Sequence, residues 1–252
     1  MIPFPQEHQV LTVAFAGDWH GDWAFARDML SKYTPQVDVF VHTGDFGFEP
    51  TWVETINYLA EEHATLILAV DGNHENHPWL CSLPVSEDGV RRVQERVWHL
   101  PRGFRWRWSG VDFLALGGAY SVNRKGGHEG IDWWPEECIT LADFWRAAEG
   151  GLVDIMVTHD CPAGVFIPSI ASTDENKRTW PHDDLAAAAA HREILAGVVA
   201  EVQPRHLWHG HYHDRYEGEL IHGGGRKTAV HGLSRNGDAE SNVMVVNLLL
   251  DL

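Results

Sequence analysis

Cysteine is scarce in this chain, and long apolar runs are missing. The three cysteines, Cys81, Cys138 and Cys161, lie far apart and form no Cys-x-x-Cys pair. This spacing argues against a disulfide framework and against a thiolate zinc site. No apolar run approaches the roughly 18 residues that a membrane-spanning helix needs, and residues 1–10 do not resemble a signal peptide. We therefore predict a soluble, cytoplasmic protein that has no membrane partner.

Basic side chains are also few. Lysine and arginine number 19 against 36 aspartate and glutamate residues, which gives a formal net charge of −17. Such a field repels a long nucleic-acid duplex unless the fold builds a basic groove, so we expect no extended duplex as partner. Carboxylates that ligate metal count as bare anions in this sum, and bound cations are therefore expected to offset part of it.

Strands and helices alternate in the first third of the sequence. Apolar runs at 10–16, 37–41 and 66–70 each end in a polar loop, and amphipathic helices are predicted at 22–33 and 51–62. This alternation is typical of an α/β protein with a largely parallel sheet. Functional loops of such sheets gather beyond the carboxyl ends of the strands, which is where all three polar loops fall.

The remaining residues predict a second sheet and two long loops. Short strands separated by tight turns indicate an antiparallel meander over residues 96–116. A Gly-rich loop follows at 117–137, and a polar loop at 161–181 has the length of a functional lid. No low-complexity linker occurs, so residues 1–252 are expected to form a single domain. The other predicted elements are a helix at 140–149, a strand at 152–157, a helix at 184–202 and strands at 206–208, 219–222, 227–231 and 242–248.

Side chains of the kind that bind divalent metal ions follow five of the predicted strands. They are Asp18, His20, Asp45, Asn73, His74, His159, His211 and His213. Mixed nitrogen and oxygen ligands suit borderline ions such as Mn²⁺, Fe²⁺, Zn²⁺ or Ni²⁺. Residues i and i+2 of an extended strand end point the same way, so the Asp-x-His and His-x-His pairs are each expected to face one cavity. Any single histidine of the 17 present is more often structural, but five such loops in one order are not easily accidental.

The order of these motifs carries a resemblance that spans residues 17–213. The motifs read Asp18-x-His20, Gly44-Asp45, Gly72-Asn73-His74-Glu75, His159 and Gly210-His211-x-His213. As a set they resemble the metallophosphoesterase (calcineurin-like phosphoesterase) superfamily, and in particular its small stand-alone bacterial and bacteriophage members. The resemblance implies an α/β fold in the form of a four-layer αββα sandwich, with two mixed β-sheets flanked by helices. It also implies two divalent metal ions as cofactors, for which we favour Mn²⁺, with Fe, Zn or Ni as alternatives.

The same resemblance implies a role for each ligand. One ion would be held by Asp18, His20, Asp45 and His213, and the other by Asp45, Asn73, His159 and His211. A hydroxide that bridges the two ions would attack phosphorus, and the ions would offset the charge that develops on the phosphoryl oxygens. His74 would be the catalytic general acid that protonates the leaving oxygen.

The chain departs from the protein Ser/Thr phosphatases of that superfamily directly after the Gly-Asp motif. Residues 44–50 read Gly-Asp-Phe-Gly-Phe-Glu-Pro, so no arginine follows that could grip phosphate. Phe48 stands where a carboxylate would orient His74, and Glu49 is a candidate replacement. We therefore favour a phosphodiesterase that acts on small phosphodiesters, with cyclic nucleotides as candidate substrates. A phosphomonoesterase for nucleotides or phosphoproteins is the alternative, and a catalytically silent interaction scaffold is a third hypothesis that the complete ligand set disfavours.

Substrate contacts are predicted in the Gly-rich loop. Asn123 and Arg124 could reach a phosphate, because a guanidinium group offers a planar fork for it, although a solvated surface loop fits the sequence equally well. Trp133 and Trp134 could stack on a base, but core packing is the more common role of tryptophan. Weaker candidates are Lys177 and Arg178 for phosphate, and His42, His209 and His231 for orienting the metal ligands.

Overall fold

Twelve strands form two six-stranded sheets in the computed structural model, which describes residues 4–171 and 180–252. In chain order the strands are β1 (Thr12–Ala16), β2 (Val39–His42), β3 (Ile67–Ala69), β4 (Arg91–Arg92), β5 (Val97–His99), β6 (Arg105–Trp108), β7 (Val111–Leu116), β8 (Ile155–Thr158), β9 (His206–His209), β10 (Tyr216–Ile221), β11 (Lys227–Gly232) and β12 (Val243–Asn247).

Helices connect these strands. They are α1 (Trp23–Tyr33), α2 (Pro50–Glu62), α3 (His77–Ser82), α4 (Leu141–Ala148), α5 (Pro168–Ala171) and α6 (His182–Val202). Short 3₁₀ turns lie at Glu7–Gln9, Thr34–Gln36, Arg124–Gly126, Pro135–Glu137 and Gly223–Gly225. Among the described helices, none has both the length and the apolar character needed to cross a membrane.

The first sheet has the strand order β12-β1-β2-β3-β5-β4. Its inner strands β1, β2, β3 and β5 are parallel, and the edge strands β12 and β4 pair with it antiparallel. The alternation predicted from the first third of the sequence is thereby confirmed. The carboxyl ends of β1, β2 and β3 lie at one edge of this sheet, so the three polar loops that follow them are neighbours.

The predicted meander over residues 96–116 is wrong at its first strand. β5 pairs in parallel with β3 in the first sheet, and only β6 and β7 form an antiparallel hairpin in the second sheet. Burial explains the difference, because Val97 packs in the core on one face of the sheet and Trp98 in the core on the other. Strands covered on both faces are typical of parallel sheets, whereas the tight turn at 101–103 indicates only that the chain changes direction.

The second sheet has the order β10-β11-β9-β8-β7-β6 and packs face to face against the first. Phe15 of the first sheet stacks on Trp208 of the second, with ring centroids 4.0 Å apart. Helices α1 and α2 cover the outer face of the first sheet, and α4 and α6 cover that of the second. The layers are therefore helix, sheet, sheet and helix, as the resemblance implied.

The stacked pair between the sheets should dominate stability. Trp208 is 1% exposed and Trp145, on α4, is 68% exposed, so the same substitution removes an indole from the core or from the surface. We expect Trp208→Ala to lower the free energy of unfolding by about 3–5 kcal/mol. Trp145→Ala should change it by no more than about 0.5 kcal/mol. Urea denaturation followed by circular dichroism measures both, and equal losses would contradict the packing of the two sheets.

Candidate metal centre

All the predicted ligands lie in loops at the carboxyl ends of strands. Asp18 and His20 follow β1, Asp45 follows β2, Asn73 and His74 follow β3, His159 follows β8, and His211 and His213 follow β9. The first three loops belong to one sheet and the last two to the other. Because the sheets pack face to face, the five loops meet along one edge of the sandwich, and side-chain contacts join them.

Four of these side chains form one compact cluster. Asp18, His20, Asp45 and His213 each offer a ligand atom, and these atoms all lie within 4.8 Å of one another. His20 Nε2 is 3.4 Å from Asp45 Oδ2, and His213 Nε2 is 3.1 Å from Asp18 Oδ2. Two carboxylates and two imidazoles are a donor set that could hold a divalent transition metal ion. The members are those that the resemblance assigns to one ion.

A second group of ligands converges on the other side of Asp45. His159 Nε2 lies 3.4 Å from Asp45 Oδ1 and 3.1 Å from the Asn73 side-chain oxygen. The rings of His159 and His211 are 5.0 Å apart between centroids. Asp45 therefore directs one carboxylate oxygen toward each group, which is the arrangement that a carboxylate shared by two ions requires.

Electrostatics at the centre favour cations. Asp18 and Asp45 are buried, and burial alone would raise the pKa of Asp45, but His159 and His20 hold it well below its usual range. Burial likewise opposes charge on the imidazoles, yet Asp45 raises the pKa of His159 to about 10 and that of His20 to about 9. The buried carboxylates thus need positive charge close by. Divalent ions can supply that charge in place of the two protons, so the residues present fit a metal centre.

Several ligands hold a strained backbone. Seven described residues other than glycine have positive φ angles, and four of them are proposed ligands: His20, Asp45, His211 and His213, with φ of 48°, 49°, 67° and 56°. Side chains with a Cβ rarely adopt this left-handed region, and it persists only where the surrounding structure enforces it. Such strain is concentrated at functional sites. The sequence gives no sign of it, because these positions do not carry glycine.

Hydrogen bonds fix which ring nitrogen faces the centre. The Thr43 carbonyl oxygen accepts a bond from His159 Nδ1 at 2.8 Å, and the Asn236 side-chain oxygen accepts one from His20 Nδ1 at 3.0 Å. Asn236 in turn donates to the Asp22 carboxylate at 3.1 Å, which sets the orientation of its amide. With Nδ1 protonated, each Nε2 presents its lone pair for a metal ion. Asn236 lies 216 residues from His20, and nothing in the sequence pattern identified it.

Glu75 connects the loop that follows β2 to the loop that follows β3. Its buried carboxylate accepts backbone N–H bonds from Phe46, Gly47 and Phe48 at 2.9, 3.1 and 2.6 Å, and one from Gly72 at 3.3 Å. Burial, followed by the charge of Asp45, raises the pKa of Glu75 to about 7. The residue stands in the Gly-Asn-His-Glu motif, but the sequence did not indicate this role. The Glu75 carboxylate holds the loop that contains Asp45 against the loop that contains Asn73.

His74 differs from the other predicted residues because its side chain is exposed. Its backbone N–H donates to Asp45 Oδ1 at 2.9 Å, and its ring centroid lies 6.0 Å from that of His20. Phe48 is buried and packs edge-on against His99, with centroids 5.5 Å apart. Within residues 4–171 and 180–252, no hydrogen bond joins Glu49 to the His74 ring, so an orienting role for Glu49 stays a prediction.

The predicted substrate contacts occupy different environments. The Arg124 guanidinium donates to Glu137 Oε1 at 3.0 and 2.7 Å, and lies 4.1 and 4.5 Å from the ring centroids of Tyr120 and Trp133. Asn123 instead lines an open groove of about 370 Å³. Lys177 and Arg178 lie outside the described residues.

Three further histidines are candidate partners of the ligands. His209 is buried, and its ring bonds to the Gly210 carbonyl oxygen at 2.9 Å, directly before His211. Its other nitrogen lies 2.7 Å from the Tyr216 hydroxyl. His42 packs edge-on against Trp19, and His231 stacks on Trp208 between the sheets. Of the three, His209 thus has the contact through which a ligand loop could be held.

The comparisons with known proteins bear on the family of this chain. The model of the calcineurin-like phosphoesterase family matches residues 11–215, a range that includes every proposed ligand. Among curated proteins no match was found. Two solved structures are similar at 13% identity: a conserved uncharacterized protein, a predicted phosphoesterase, from Streptococcus pneumoniae (TM-score 0.33, 89% of this chain and 72% of that chain) and a hypothetical protein from Thermus thermophilus (TM-score 0.44, 89% and 77%). The family match, over more than half of the sequence, shows that this chain belongs to the calcineurin-like phosphoesterases.

Proposed function

We propose that this phosphoesterase uses two divalent metal ions, with Mn²⁺ favoured, and acts on small phosphodiesters. The position of Asp45 carries the proposal. Its two carboxylate oxygens face His20 and His159 at 3.4 Å each, so two ligand groups share one buried anion. The first ion would be bound by Asp18, His20, Asp45 and His213, and the second by Asp45, Asn73, His159 and His211.

The roles of the side chains follow from where they lie. Bound ions would supply an activated water nucleophile and would offset charge on the phosphoryl oxygens. Asp45 would hold the two ligand groups at a fixed separation, and the ring nitrogens of His20 and His159 are already oriented for binding. The exposed ring of His74 is available to donate a proton to the leaving oxygen, which a general acid must reach directly or through one water.

The engagement of two arginines supports a preference for diesters. A phosphomonoester at neutral pH carries more negative charge than a diester, and binding it profits from a cationic side chain beside the ions. Arg102 is paired with the buried Asp71, and Arg124 is paired with Glu137, so neither guanidinium is free to grip a phosphate. Phe48, three residues after Asp45, is a buried apolar side chain. A phosphomonoesterase remains the alternative that the substrate assay addresses.

The groove beside the Gly-rich loop supports an organic group on the substrate. Its volume of about 370 Å³ falls in the range of small-molecule sites, and it is lined by Asn123, Gly126, Gly127, Asp132, Trp180 and Pro181. Asn123 lies two residues after Ser121, whose hydroxyl accepts a hydrogen bond from the Asn73 amide at 3.0 Å, so the groove lies beside the loop that contacts the metal centre. Trp180 offers a ring for stacking on a base, and we propose that a nucleoside binds here.

Metal binding should be measurable without any substrate. A ligand that binds only the folded protein at 100 times its Kd raises the free energy of unfolding by about 2.7 kcal/mol. We therefore expect Mn²⁺ to raise the melting temperature of the stripped protein, and EDTA to reverse this. Asp45→Asn should abolish the shift, because it removes the shared anion. Asp28→Asn, at a carboxylate that is 62% exposed on α1, should retain it. A full shift in the Asp45 variant would contradict the proposed ligand set.

Paired model substrates test the reaction. We expect the Mn²⁺-loaded protein to hydrolyse bis(p-nitrophenyl) phosphate with a higher kcat/KM than p-nitrophenyl phosphate. His74→Ala should reduce kcat by about 10²–10⁴-fold for a ribose leaving group, as in a 2′,3′-cyclic nucleotide. The loss should be smaller for p-nitrophenolate, because this anion leaves without a proton.

The matched control is His63→Ala. His63 directly follows α2 at the opposite edge of the first sheet, where its ring bonds to Ser31 at 3.3 Å, and this variant should keep full activity. Faster cleavage of the monoester would favour the phosphomonoesterase alternative. Equal losses on both leaving groups in the His74 variant would exclude the general-acid role, and no cleavage with any divalent ion would overturn the proposed function.

The groove makes a separate prediction about substrate recognition. Asn123→Ala removes an amide that could bond to a base, and one such bond corresponds to about a three- to tenfold change in KM. We expect this increase for thymidine 5′-p-nitrophenyl phosphate and no change for methyl p-nitrophenyl phosphate, which lacks the nucleoside. Steady-state kinetics on the two diesters measure the difference. The same change on both would place the effect at the phosphate rather than in the groove.

A further inference from the structure

A buried polar chain leads from the Gly-rich loop to the metal centre. Asn73 Nδ2 donates to Ser121 Oγ at 3.0 Å, and this hydroxyl donates to Glu137 Oε2 at 3.0 Å. The Ser121 backbone N–H donates to Glu137 Oε1 at 2.7 Å. Asn73 and Ser121 are each 2% exposed, and Glu137 is fully buried. These three residues are almost completely shielded from water, so their polar atoms must find hydrogen-bond partners within the protein.

The hydroxyl of Ser121 determines which atom of Asn73 faces the metal ions. As the ion-pair partner of Arg124, the Glu137 carboxylate only accepts hydrogen bonds. The single Ser121 hydroxyl proton therefore goes to Glu137, and the hydroxyl oxygen must accept from its other neighbour. That neighbour has to present its NH₂ group. Asn73 is thus fixed with Nδ2 toward Ser121 and with its oxygen toward His159, where a metal ligand is required.

Glu137 is itself held in place. Its carboxylate also accepts from the Trp134 backbone N–H at 3.1 Å, and Arg124 occupies the remaining direction between the rings of Tyr120 and Trp133. Arg102 donates to the carbonyl oxygens of residues 136, 137 and 138 and pairs with Asp71, two residues before Asn73. The loop and the end of β3 therefore form one rigid unit.

We propose that Ser121, Glu137 and Arg124 are positioning residues that hold the Asn73 oxygen on the second metal ion. This inference rests on the proposed two-ion function, and none of the three residues needs to touch the substrate. Without the Ser121 hydroxyl, the Asn73 side-chain amide can rotate by about 180° at little steric cost, which would present its NH₂ group to the ion. The first ion should not be affected, because no hydrogen bond of this network involves Asp18, His20 or His213.

Two substitutions test the network from different sides. Ser121→Ala removes the hydroxyl. Glu137→Gln keeps the shape but changes the polarity. Its oxygen remains with Arg124 and the Ser121 N–H, so its NH₂ takes the place of Oε2, which accepts from the Ser121 hydroxyl and from the Trp134 N–H. The bond from the Trp134 N–H is lost in this variant. The Ser121 hydroxyl would then donate to the side chain of Asn73, whose amide would have to rotate so that its oxygen faces Ser121 and its NH₂ faces the ion. Ser109→Ala, in the β6–β7 turn, removes a hydroxyl that donates to the Val10 carbonyl at 2.6 Å and is the matched control.

Isothermal titration with Mn²⁺ measures how many ions bind and how tightly, and electron paramagnetic resonance detects two Mn²⁺ ions coupled through a shared ligand. We expect two ions in the wild type and in Ser109→Ala. In Ser121→Ala and Glu137→Gln, the second ion should bind about 10–100-fold more weakly, which is the usual effect of removing a group that orients a ligand. The first ion should bind unchanged, and the coupled spectrum should give way to that of a single ion. Thermal unfolding confirms that the variants are folded.

The outcomes separate the two proposals. A wild type that binds fewer than two ions overturns the proposed function together with this inference. A wild type with two ions, and folded variants that retain both at unchanged affinity, overturns the positioning role alone. Arg124→Gln tests whether Arg124 itself is a positioning residue. Weaker binding of the second ion in this variant would support that role. Unchanged metal binding with a higher KM would instead identify Arg124 as a substrate contact.

Discussion

The buried carboxylate of Asp45 is the group around which the site is organised. An anion removed from water is stable only if positive charge or hydrogen-bond donors surround it. His20 and His159 face its two oxygens, and the His74 backbone N–H donates to one of them. These partners come from loops on both sheets, so the packing of the sheets determines how well the charge is satisfied. A site divided between two sheets therefore depends on the core that holds them together.

The strained backbone surrounds the same carboxylate. Asp45 and three histidines around it hold positive φ angles, a conformation that a residue with a Cβ adopts only when its neighbours impose it. Glu75 supplies part of this restraint, because its carboxylate collects the N–H groups of the loop that follows Asp45. Several donors on one buried acceptor leave the loop little freedom. Asp45 is thus presented in a fixed arrangement before an ion binds, which reduces the ordering that binding requires.

Sequence reasoning predicted those features of the candidate site that depend on residue type and order. The ligand types after five strand ends predicted which side chains would meet, and the alternation of strands and helices predicted the parallel sheet. Features that depend on three-dimensional partners were not predictable. β5 was assigned to the wrong sheet because turn residues show a change of direction but not the pairing partner. Asn236 supports His20 across 216 residues, and no local pattern connects them. For Arg124, the sequence suggested a substrate contact, whereas the structure engages its guanidinium with Glu137.

The two proposed metal positions differ in what orients their ligands. On the first, His20 is oriented by Asn236, which bonds to Asp22, and Asp22 also accepts from the Phe25 N–H at the start of α1. At the second position, Asn73 is oriented by Ser121 of the Gly-rich loop. Asn123, Gly126 and Gly127 of the same loop line the groove proposed for the nucleoside. Because this loop is proposed to serve both ligand orientation and substrate contact, a change that displaces its backbone would alter recognition and the second ion together, whereas the side-chain change Asn123→Ala would alter recognition alone. The first ion would depend on a helix terminus that does not line the groove, so such changes would leave it unaffected.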